Sequence, residues 1–202
     1  GDVYIVSDRG QNLHRFIIQE GAHQALNGVR LNELMARNNV TIQDNFNEFD
    51  DWVEVINTGA EAVDFAKAYF TNDLLAPRQS FIASGGELSL DAGALHLFWA
   101  DGTPGQGMEH LGFRLSAAGE QVGLYFEQGG LLSLSDSITY MPLGADSSFG
   151  RIPDGEGAWE LILNSSPAQL NDIGSSVENN PTPGVFTLSQ NYPNPFLSLI
   201  HI

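Results

Sequence analysis

The sequence contains no cysteine, a single lysine and no long apolar run. Without cysteine, the chain can form no disulfide, thiolate metal site or cysteine nucleophile. Its 202 residues include 25 acidic and only 8 basic side chains, which gives a formal net charge of −17. Such a field repels phosphate backbones, so we expect no nucleic-acid partner. No apolar stretch approaches the roughly 18 residues that a spanning helix needs, so we expect no membrane span.

Short runs of alternating apolar residues carry the main structural signal. Hydrophobic residues make up 42% of the chain, enough for a packed core, and turns are encouraged by 22 glycines and 9 prolines. Period-two alternation places every second side chain on one face of a strand. It occurs at 29–31, 53–55, 95–99, 122–126 and 138–140. This pattern predicts an all-β antiparallel sandwich or barrel of about seven strands.

Four segments follow from this pattern. Residues 1–28 hold two apolar runs around a polar turn, which predicts a hairpin that is a remnant of an upstream domain or packs on the next one. Residues 29–163 form the predicted sandwich. Residues 164–183 are polar and proline-punctuated, as in a linker, and residues 184–202 form a mostly extended tail. Because the chain opens with Gly1 and not with a signal peptide, we expect the C-terminal piece of a longer protein.

Four motifs follow one another in the central segment: VRLNELMA, FDDWVEVIN, LFWADG and SFGRIPDG. Their order resembles that in lamin tail domains of bacterial secreted proteins. VRLNELMA at 29–36 and FDDWVEVIN at 49–57 are similar to that family's INEFMA and DDWIEL strands. LFWADG at 97–102 and SFGRIPDG at 148–155 are similar to its later motifs. Residues 29–163 therefore resemble this family, which implies an immunoglobulin-like β-sandwich. The residues that carry the resemblance, all with expected structural roles, are Glu33, Asp51, Trp52, Glu54, Asn57, Trp99, Asp101, Gly150, Arg151, Pro153, Asp154, Gly155 and Trp159.

The residue chemistry of these motifs suits a fold role. The three tryptophans are large apolar groups, and we expect them to plug the core or its edges between the two sheets, leaving no cleft. Gly150 and Gly155 bracket a turn in which Pro153 fixes φ and Asp154 can bond its own backbone. Arg151 can pair with a nearby carboxylate and so hold the turn down.

The C-terminal tail carries a second motif, since residues 184–196 read GVFTLSQNYPNPF. This run resembles the F-L-QNYPNPFNP pattern at the start of the type A sorting domain of type IX secretion. The match to the family pattern ends at Phe196, because the residues that follow it depart from the pattern. We therefore expect a truncated signal. The resemblance implies export to the medium or outer cell surface of a Gram-negative bacterium. The sorting residues are Phe186, Leu188, Gln190, Asn191, Tyr192, Pro193, Asn194, Pro195 and Phe196.

An acidic cluster is a candidate calcium site. Asp44, Glu48, Asp50 and Asp51 offer hard oxygen ligands within one short segment. The spacing is not that of an EF-hand loop, and a solvated or turn-capping role is the alternative. Apart from calcium, we expect no cofactor.

No motif of a known catalytic centre is present. The five histidines form no H-x-H or H-x-x-x-H pair, there is no G-x-S-x-G elbow, and the glycine-rich run at 102–107 lacks the lysine of a phosphate loop. Four aromatic residues, Tyr69, Phe70, Phe98 and Tyr125, are candidates for a sugar-stacking platform or for a covered sheet face.

These observations favour a non-catalytic structural or interaction module of a large secreted or cell-surface protein. The expected partners are the type IX secretion machinery, upstream domains of the same protein, and surface polysaccharide or protein. A carbohydrate- or calcium-dependent ligand-binding module is the alternative. A hydrolase fragment is a third hypothesis and requires a concave pocket with paired titratable groups.

Overall fold

The computed structural model describes residues 28–82 and 87–171, together with the backbone of two short strands, β1 (Val3–Ile5) and β2 (His14–Phe16). These two strands pair antiparallel, with Val3 opposite Phe16, as the predicted hairpin requires.

Two antiparallel sheets form the body of the described region. The five-stranded sheet has the order β13-β12-β3-β4-β9, and the four-stranded sheet has the order β11-β10-β6-β7. The strands of the first are β3 (Val29–Met35), β4 (Trp52–Asn57), β9 (Leu95–Trp99), β12 (Ser148–Ile152) and β13 (Ala158–Ile162). Those of the second are β6 (Ala68–Thr71), β7 (Ser80–Ile82), β10 (Gln121–Gln128) and β11 (Leu131–Thr139). The predicted all-β antiparallel sandwich is confirmed.

Smaller elements complete the description. A two-stranded sheet pairs β5 (Val63–Asp64) with β8 (Ser89–Leu90), and a short 3-10 helix covers Pro104–Gln106. No helix in the described ranges is long and apolar enough to cross a bilayer.

Phenylalanines, not tryptophans, fill the space between the sheets. Phe98 of β9 is fully buried and its ring centroid lies 4.7 Å from that of Phe70 and 5.4 Å from that of Phe65. Phe65 also contacts Phe126 of β10 at 5.5 Å. Burying a side chain of this size contributes about 1.5–3 kcal/mol. Aliphatic residues of both sheets, among them Val53, complete this core.

Two of the three tryptophans lie elsewhere, which corrects the expectation that the sheets close around all three. Trp52 and Trp99 are opposite each other on β4 and β9 and pack with Met35 in a separate cluster on the outer face of the five-stranded sheet. They face outward because Val53 and Phe98, one position along, face the core. Trp159 is half-buried and packs at the edge of the core.

A bulge in β3 shapes the centre of the five-stranded sheet. Leu31 pairs with Val55 and Glu33 with Glu54, so Asn32 is the extra residue. A bulge of this kind re-aims side chains locally. As a result, the Asn32 side chain reaches Glu54 as well as the turn after β12.

Candidate functional site

Two fully buried glutamates lie side by side on the outer face of the five-stranded sheet. Glu33 of β3 and Glu54 of β4 are paired in register and both are 0% exposed. Strand alternation directs Glu54 outward, because Val53 and Val55 on either side of it face the core. Buried carboxyl groups require hydrogen-bond partners, and the chain after β13 provides several of them.

Residues 164–171, here called the C-terminal strap, cover the two glutamates. The Ala168 N–H donates to Glu54 Oε2 at 2.6 Å. The Ser166 N–H and hydroxyl donate to Glu33 at 3.2 and 3.3 Å, and the Ser148 hydroxyl of β12 also donates to Glu33. The strap is the beginning of the predicted linker, and these bonds join it to the sheet.

Asn32 connects the glutamates to the turn between β12 and β13. Its Nδ2 donates to Glu54 Oε1 at 3.1 Å and to Asp154 Oδ1 at 2.7 Å, and its Oδ1 accepts the Gly155 N–H at 2.9 Å. Asp154 also accepts the Asn171 N–H of the strap, at 3.1 and 3.2 Å. The Asp154 carboxylate thus binds the strap and Asn32, whereas the sequence predicts that it bonds its own turn.

Two glycines make room for this arrangement. A Cβ on Gly150 would lie 2.8 Å from Asn171 Nδ2 and 3.0 Å from Glu33 Cγ, so a side chain there would push against the strap. Gly155 has φ +67°, and a Cβ there would lie 2.3 Å from Thr58 Cγ2. The turn that Gly155 opens is closed by the Gly157 N–H, which donates to the Pro153 carbonyl at 2.7 Å.

Burial dominates the electrostatics of the two glutamates. It raises the pKa of Glu54 to about 8 and also raises the pKa of Glu33, and Asp154 adds a smaller upward effect on each. The hydrogen bonds from Asn32 and Ala168 oppose the shift of the Glu54 pKa but do not cancel it. A carboxyl group with a pKa near 8 can hold and release a proton near neutral pH. Here, however, the strap lies between this carboxyl group and solvent.

An ion pair between Arg151 and Asp136 joins the two sheets. Arg151 of β12 donates from Nη2 to both oxygens of Asp136 of β11, at 3.0 and 3.3 Å, and from Nη1 to the Gly157 carbonyl at 3.1 Å. Arg151 Nε donates to the Leu31 carbonyl, while the Leu31 N–H donates to Asp136. The guanidinium also lies 5.0 Å from the Trp159 ring centroid. The predicted pairing of Arg151 with a carboxylate is confirmed.

Asn57 and Asp101 organise loops at the two ends of the same sheet. Asn57 is fully buried, donates to the carbonyls of Glu61 and Leu90 at 2.8 Å each, and accepts the Gly59 N–H. Asp101 accepts the Thr103 N–H at 2.8 Å through Oδ1. Both residues therefore hold backbone segments in place.

The loop between β3 and β4 brings together three of the four calcium candidates. Asp44, Glu48 and Asp50 each present a carboxylate oxygen within 4.8 Å of the other two. Asp51 does not join them: its Oδ1 accepts the Asn38 N–H at 3.4 Å, and burial raises its pKa to about 6.

A buried histidine, His110, contacts the loop between β3 and β4. His110 Nδ1 lies 2.7 Å from Asp101 Oδ2, with both side chains 2% exposed, and its Nε2 lies 3.3 Å from Asn45 Oδ1. The edge of the Phe46 ring meets the imidazole, with centroids 5.7 Å apart. His110 therefore anchors the acidic loop to the segment that begins at Asp101.

The four candidate aromatic residues divide between the core and an outer sheet face. Phe70 and Phe98 are fully buried in the core, which removes them from any sugar-stacking platform. On the outer face of the four-stranded sheet, Tyr125 of β10 is opposite Tyr69 of β6, and Tyr69 is opposite Phe81 of β7. These three residues, here called the aromatic row, run across three adjacent strands. The Tyr69 and Phe81 centroids are 5.0 Å apart, and Phe81 is 51% exposed.

Charged residues border the aromatic row. The Arg78 guanidinium lies 5.6 Å from the Tyr69 ring centroid and donates to Glu127 Oε2 at 2.7 Å. The Tyr69 hydroxyl donates to the same oxygen at 3.4 Å. An aromatic surface with charged groups at its border can stack on a ligand and hydrogen-bond its rim.

Several residues of these sites escaped the sequence analysis. Asn32, Ser166 and Ala168 were not singled out, although the motif letters of VRLNELMA include Asn32. Phe81 of the aromatic row and Gln106, which contacts Glu48 of the acidic loop, were also not predicted as site residues. Each lies in a short element without apolar alternation. The nine residues of the sorting signal, at 186–196, lie outside the described residues.

Comparisons of the chain with protein-family models, curated proteins and solved structures found no match.

Proposed function

We propose that the chain is a non-catalytic interaction module of the lamin-tail type, with an immunoglobulin-like sandwich, from a secreted or surface protein of a Gram-negative bacterium. Its C-terminal residues act as a type IX sorting signal, and upstream domains of the same protein are its covalent partners. The module holds or presents those domains at the cell surface.

The observation that supports this proposal is that the carboxylates of the sequence motifs are hydrogen-bonded beneath the strap. Glu33, Glu54 and Asp154 form a group of titratable residues on the outer face of the five-stranded sheet, which the strap covers. Each of them accepts hydrogen bonds that hold the strap or a turn. A hydrolytic site needs a carboxyl pair that substrate can reach. The strap covers Glu33 and Glu54, so these residues support a fold role.

An export assay tests the proposal directly. The full chain is fused behind a Sec signal peptide and a reporter enzyme, in a bacterium that has a type IX system. We expect reporter activity at the cell surface or in the medium, lost with Tyr192→Ala and kept with the control Ser189→Ala. Retention of the unsubstituted fusion in the periplasm would contradict the assignment of the tail.

The aromatic row favours a second candidate function, the binding of surface polysaccharide. Tyr69, Phe81 and Tyr125 present ring edges or faces to solvent in one line, and the apolar C–H faces of sugar rings pack on such surfaces. Arg78 and Glu127 are placed to hydrogen-bond sugar hydroxyls at the rim.

A glycan array probed with the full chain tests this second function. We expect binding that Tyr69→Ala and Phe81→Ala each weaken. The control Leu131→Ala, at an exposed position of the same sheet, keeps it. An array without signal, or equal signal from all variants, would rule out the row as a sugar-binding surface.

A further inference from the structure

The loop between β3 and β4 is built as a cradle before any ligand is considered. Asp44 Oδ1 accepts the N–H groups of Phe46 and Glu48, each at 2.8 Å, and the Asp44 N–H donates to the Glu48 carbonyl at 3.0 Å. Asn38 Nδ2 donates to the Asp50 carbonyl at 2.9 Å. The backbone that carries the three acidic residues is therefore fixed by its own hydrogen bonds.

A second loop closes one side of the cradle. Gln106, in the 3-10 helix after β9, donates its Nε2 to Glu48 Oε2 at 2.8 Å. Asn45, in the same loop as Glu48, also contacts His110, so the 101–110 segment touches the acidic loop at two residues, Gln106 and His110. Gln106 is thereby held beside Glu48, where the two loops meet.

The carboxylate geometry suits one cation. The oxygens of Asp44, Glu48 and Asp50 lie within 4.8 Å of one another, so a single point exists within about 2.8 Å of all three. Calcium–oxygen distances in proteins are about 2.3–2.6 Å, so the oxygens need to contract only slightly to ligate one ion.

Unpartnered buried oxygens supply an independent observation. Asp44 is only 8% exposed, and its Oδ2 is buried without a hydrogen-bond partner, while Oδ1 has two. Asp50 Oδ2 and Gln106 Oε1 are likewise buried without partners. A buried carboxylate oxygen without a donor is costly, and native proteins leave few such atoms unsatisfied. A bound cation would satisfy the carboxylate oxygens and the amide oxygen together.

The local charge points the same way. Besides burial, the negative charges of Asp101, Asp44 and Glu48 raise the pKa of Asp50, and the opposing influence of Arg114 is smaller than each of these. The negative charges around Asp50 therefore outweigh the positive charge of Arg114, an arrangement that favours a bound cation.

The ligand set selects the kind of ion. Three carboxylates and one amide oxygen are hard ligands, which favour calcium over zinc or copper. The nearby His110 is not a free ligand, because Nδ1 contacts Asp101 and Nε2 contacts Asn45. Irregular spacing from two loops suits calcium better than magnesium, which demands octahedral geometry and retains its waters.

We propose that Asp44, Glu48, Asp50 and Gln106 bind one calcium ion that fixes the β3–β4 loop to the loop after β9. Water completes the coordination sphere, since four protein ligands fall short of the six to eight that calcium takes. Extracellular modules bind calcium with Kd values of about 10⁻⁴–10⁻³ M, and we expect a Kd within this range.

Thermal melting of the full chain, in EDTA and in calcium, tests the proposal. Calcium at 10 mM is about ten times a Kd of 10⁻³ M, and at this excess a one-site protein of this size should gain roughly 3–6 °C in Tm, or more if binding is tighter. Isothermal titration with CaCl₂ gives the stoichiometry, which we expect to be one. Magnesium at equal concentration is the control for ionic strength, and we expect it to raise Tm by less than half as much.

Matched variants locate the ion. Asp44→Asn and Glu48→Gln should each weaken calcium binding at least about tenfold, since each removes a charged ligand. Asp44→Asn keeps the oxygen that accepts the loop N–H groups, so its Tm in EDTA should be no lower than that of the unsubstituted chain. Glu48 is exposed, so Glu48→Gln remains informative if the Asp44 variant misfolds. Glu87→Gln, with the same loss of charge at an exposed distant position, should bind calcium normally.

Three results would overturn the proposal. The first is a Tm that is the same in EDTA and in 10 mM calcium. The second is equal stabilisation by magnesium, which would show charge screening alone. The third is unchanged calcium affinity in both Asp44→Asn and Glu48→Gln, which would place any bound ion elsewhere. None of these results depends on sugar binding or on export, so the proposed function is tested separately.

Discussion

The outer faces of the two sheets are built in opposite ways. The face of the five-stranded sheet is covered: Glu33 and Glu54 lie under the C-terminal strap, and Trp52 and Trp99 lie under the β3–β4 loop region. The face of the four-stranded sheet carries the aromatic row, in which Phe81 is half exposed. The two sheets therefore differ in their outer faces: one is covered by the chain itself, and the other leaves aromatic side chains near solvent.

The covered face shows how the sandwich accommodates buried polar side chains. On the covered face, polar side chains are satisfied by backbone N–H groups and by each other, so their burial does not leave many unpaired atoms. On the open face, aromatic side chains remain near solvent. Substitutions in the two faces should consequently affect different properties.

The largest effect is expected from Arg151→Ala, beneath the covered face. The change removes the ion pair to Asp136, two hydrogen bonds to carbonyls and the contact with Trp159. Leaving Asp136 partly buried without its partner should cost about 3–5 kcal/mol of unfolding free energy. Urea denaturation of the full chain measures this, with the exposed Arg37→Ala as the control. A loss below about 1 kcal/mol would mean that the ion pair between the sheets is not a structural contact.

Asn32→Ala should have the next largest effect. It deprives Glu54 and Asp154 of a donor and leaves the Gly155 N–H without its acceptor. Unsatisfied buried groups cost about 1–3 kcal/mol each, so we expect a loss of at least about 2 kcal/mol in urea denaturation. The exposed Asn39→Ala is the matched control. A loss no greater than that of the control would show that the network is dispensable.

The pH dependence of stability should come from the covered face. Because the pKa of Glu54 is raised to about 8, the folded state binds more protons than the unfolded state between about pH 4.5 and 8. The domain should therefore gain stability as pH falls from 8 to 5, and Asp51, with a pKa near 6, adds to the lower part of this range. Below that range stability should fall, because the pKa of Glu109 is lowered by its contact with His96.

Glu54→Gln isolates this contribution. The amide cannot titrate, so the rise in Tm between pH 8 and pH 5 should shrink, whatever the effect on Tm itself. Glu87→Gln should retain the full rise. An identical slope in the Glu54 variant would assign the pH dependence to other groups.

The smallest effect on stability is expected on the open face. Phe81→Ser removes a ring that is half exposed and contacts Tyr69, so unfolding free energy should change by no more than about 1 kcal/mol. Binding of the variant to the glycan array, measured on the same preparation, should fall sharply. A large loss of stability would mean that Phe81 belongs to the core and not to a binding surface.

The sequence is informative about strands and less so about faces. The alternation at 29–31, 53–55, 95–99 and 122–126 falls within β3, β4, β9 and β10, whereas the run at 138–140 meets only the last two residues of β11. It does not say which face is the core: β6 reads AYFT, with Tyr69 outward and Phe70 inward. Both residues are aromatic, so composition cannot separate them.

The strap was hidden for a different reason. Its bonds to the glutamates come from the backbone N–H groups of Ser166 and Ala168, which every residue except proline possesses. A polar segment with a proline therefore looks like a linker even when it is docked. Glu33 and Glu54 were expected to have structural roles, but their partners could be found only from the fold.

Hydrogen exchange at the strap tests the central claim most directly. In the full chain, the amides of Ser166 and Ala168 donate to buried carboxylates, so we predict that they exchange far more slowly than unprotected amides, approaching those of β4. Exchange of both at the unprotected rate would contradict the account, because Glu33 and Glu54 would then be open to solvent and available for chemistry.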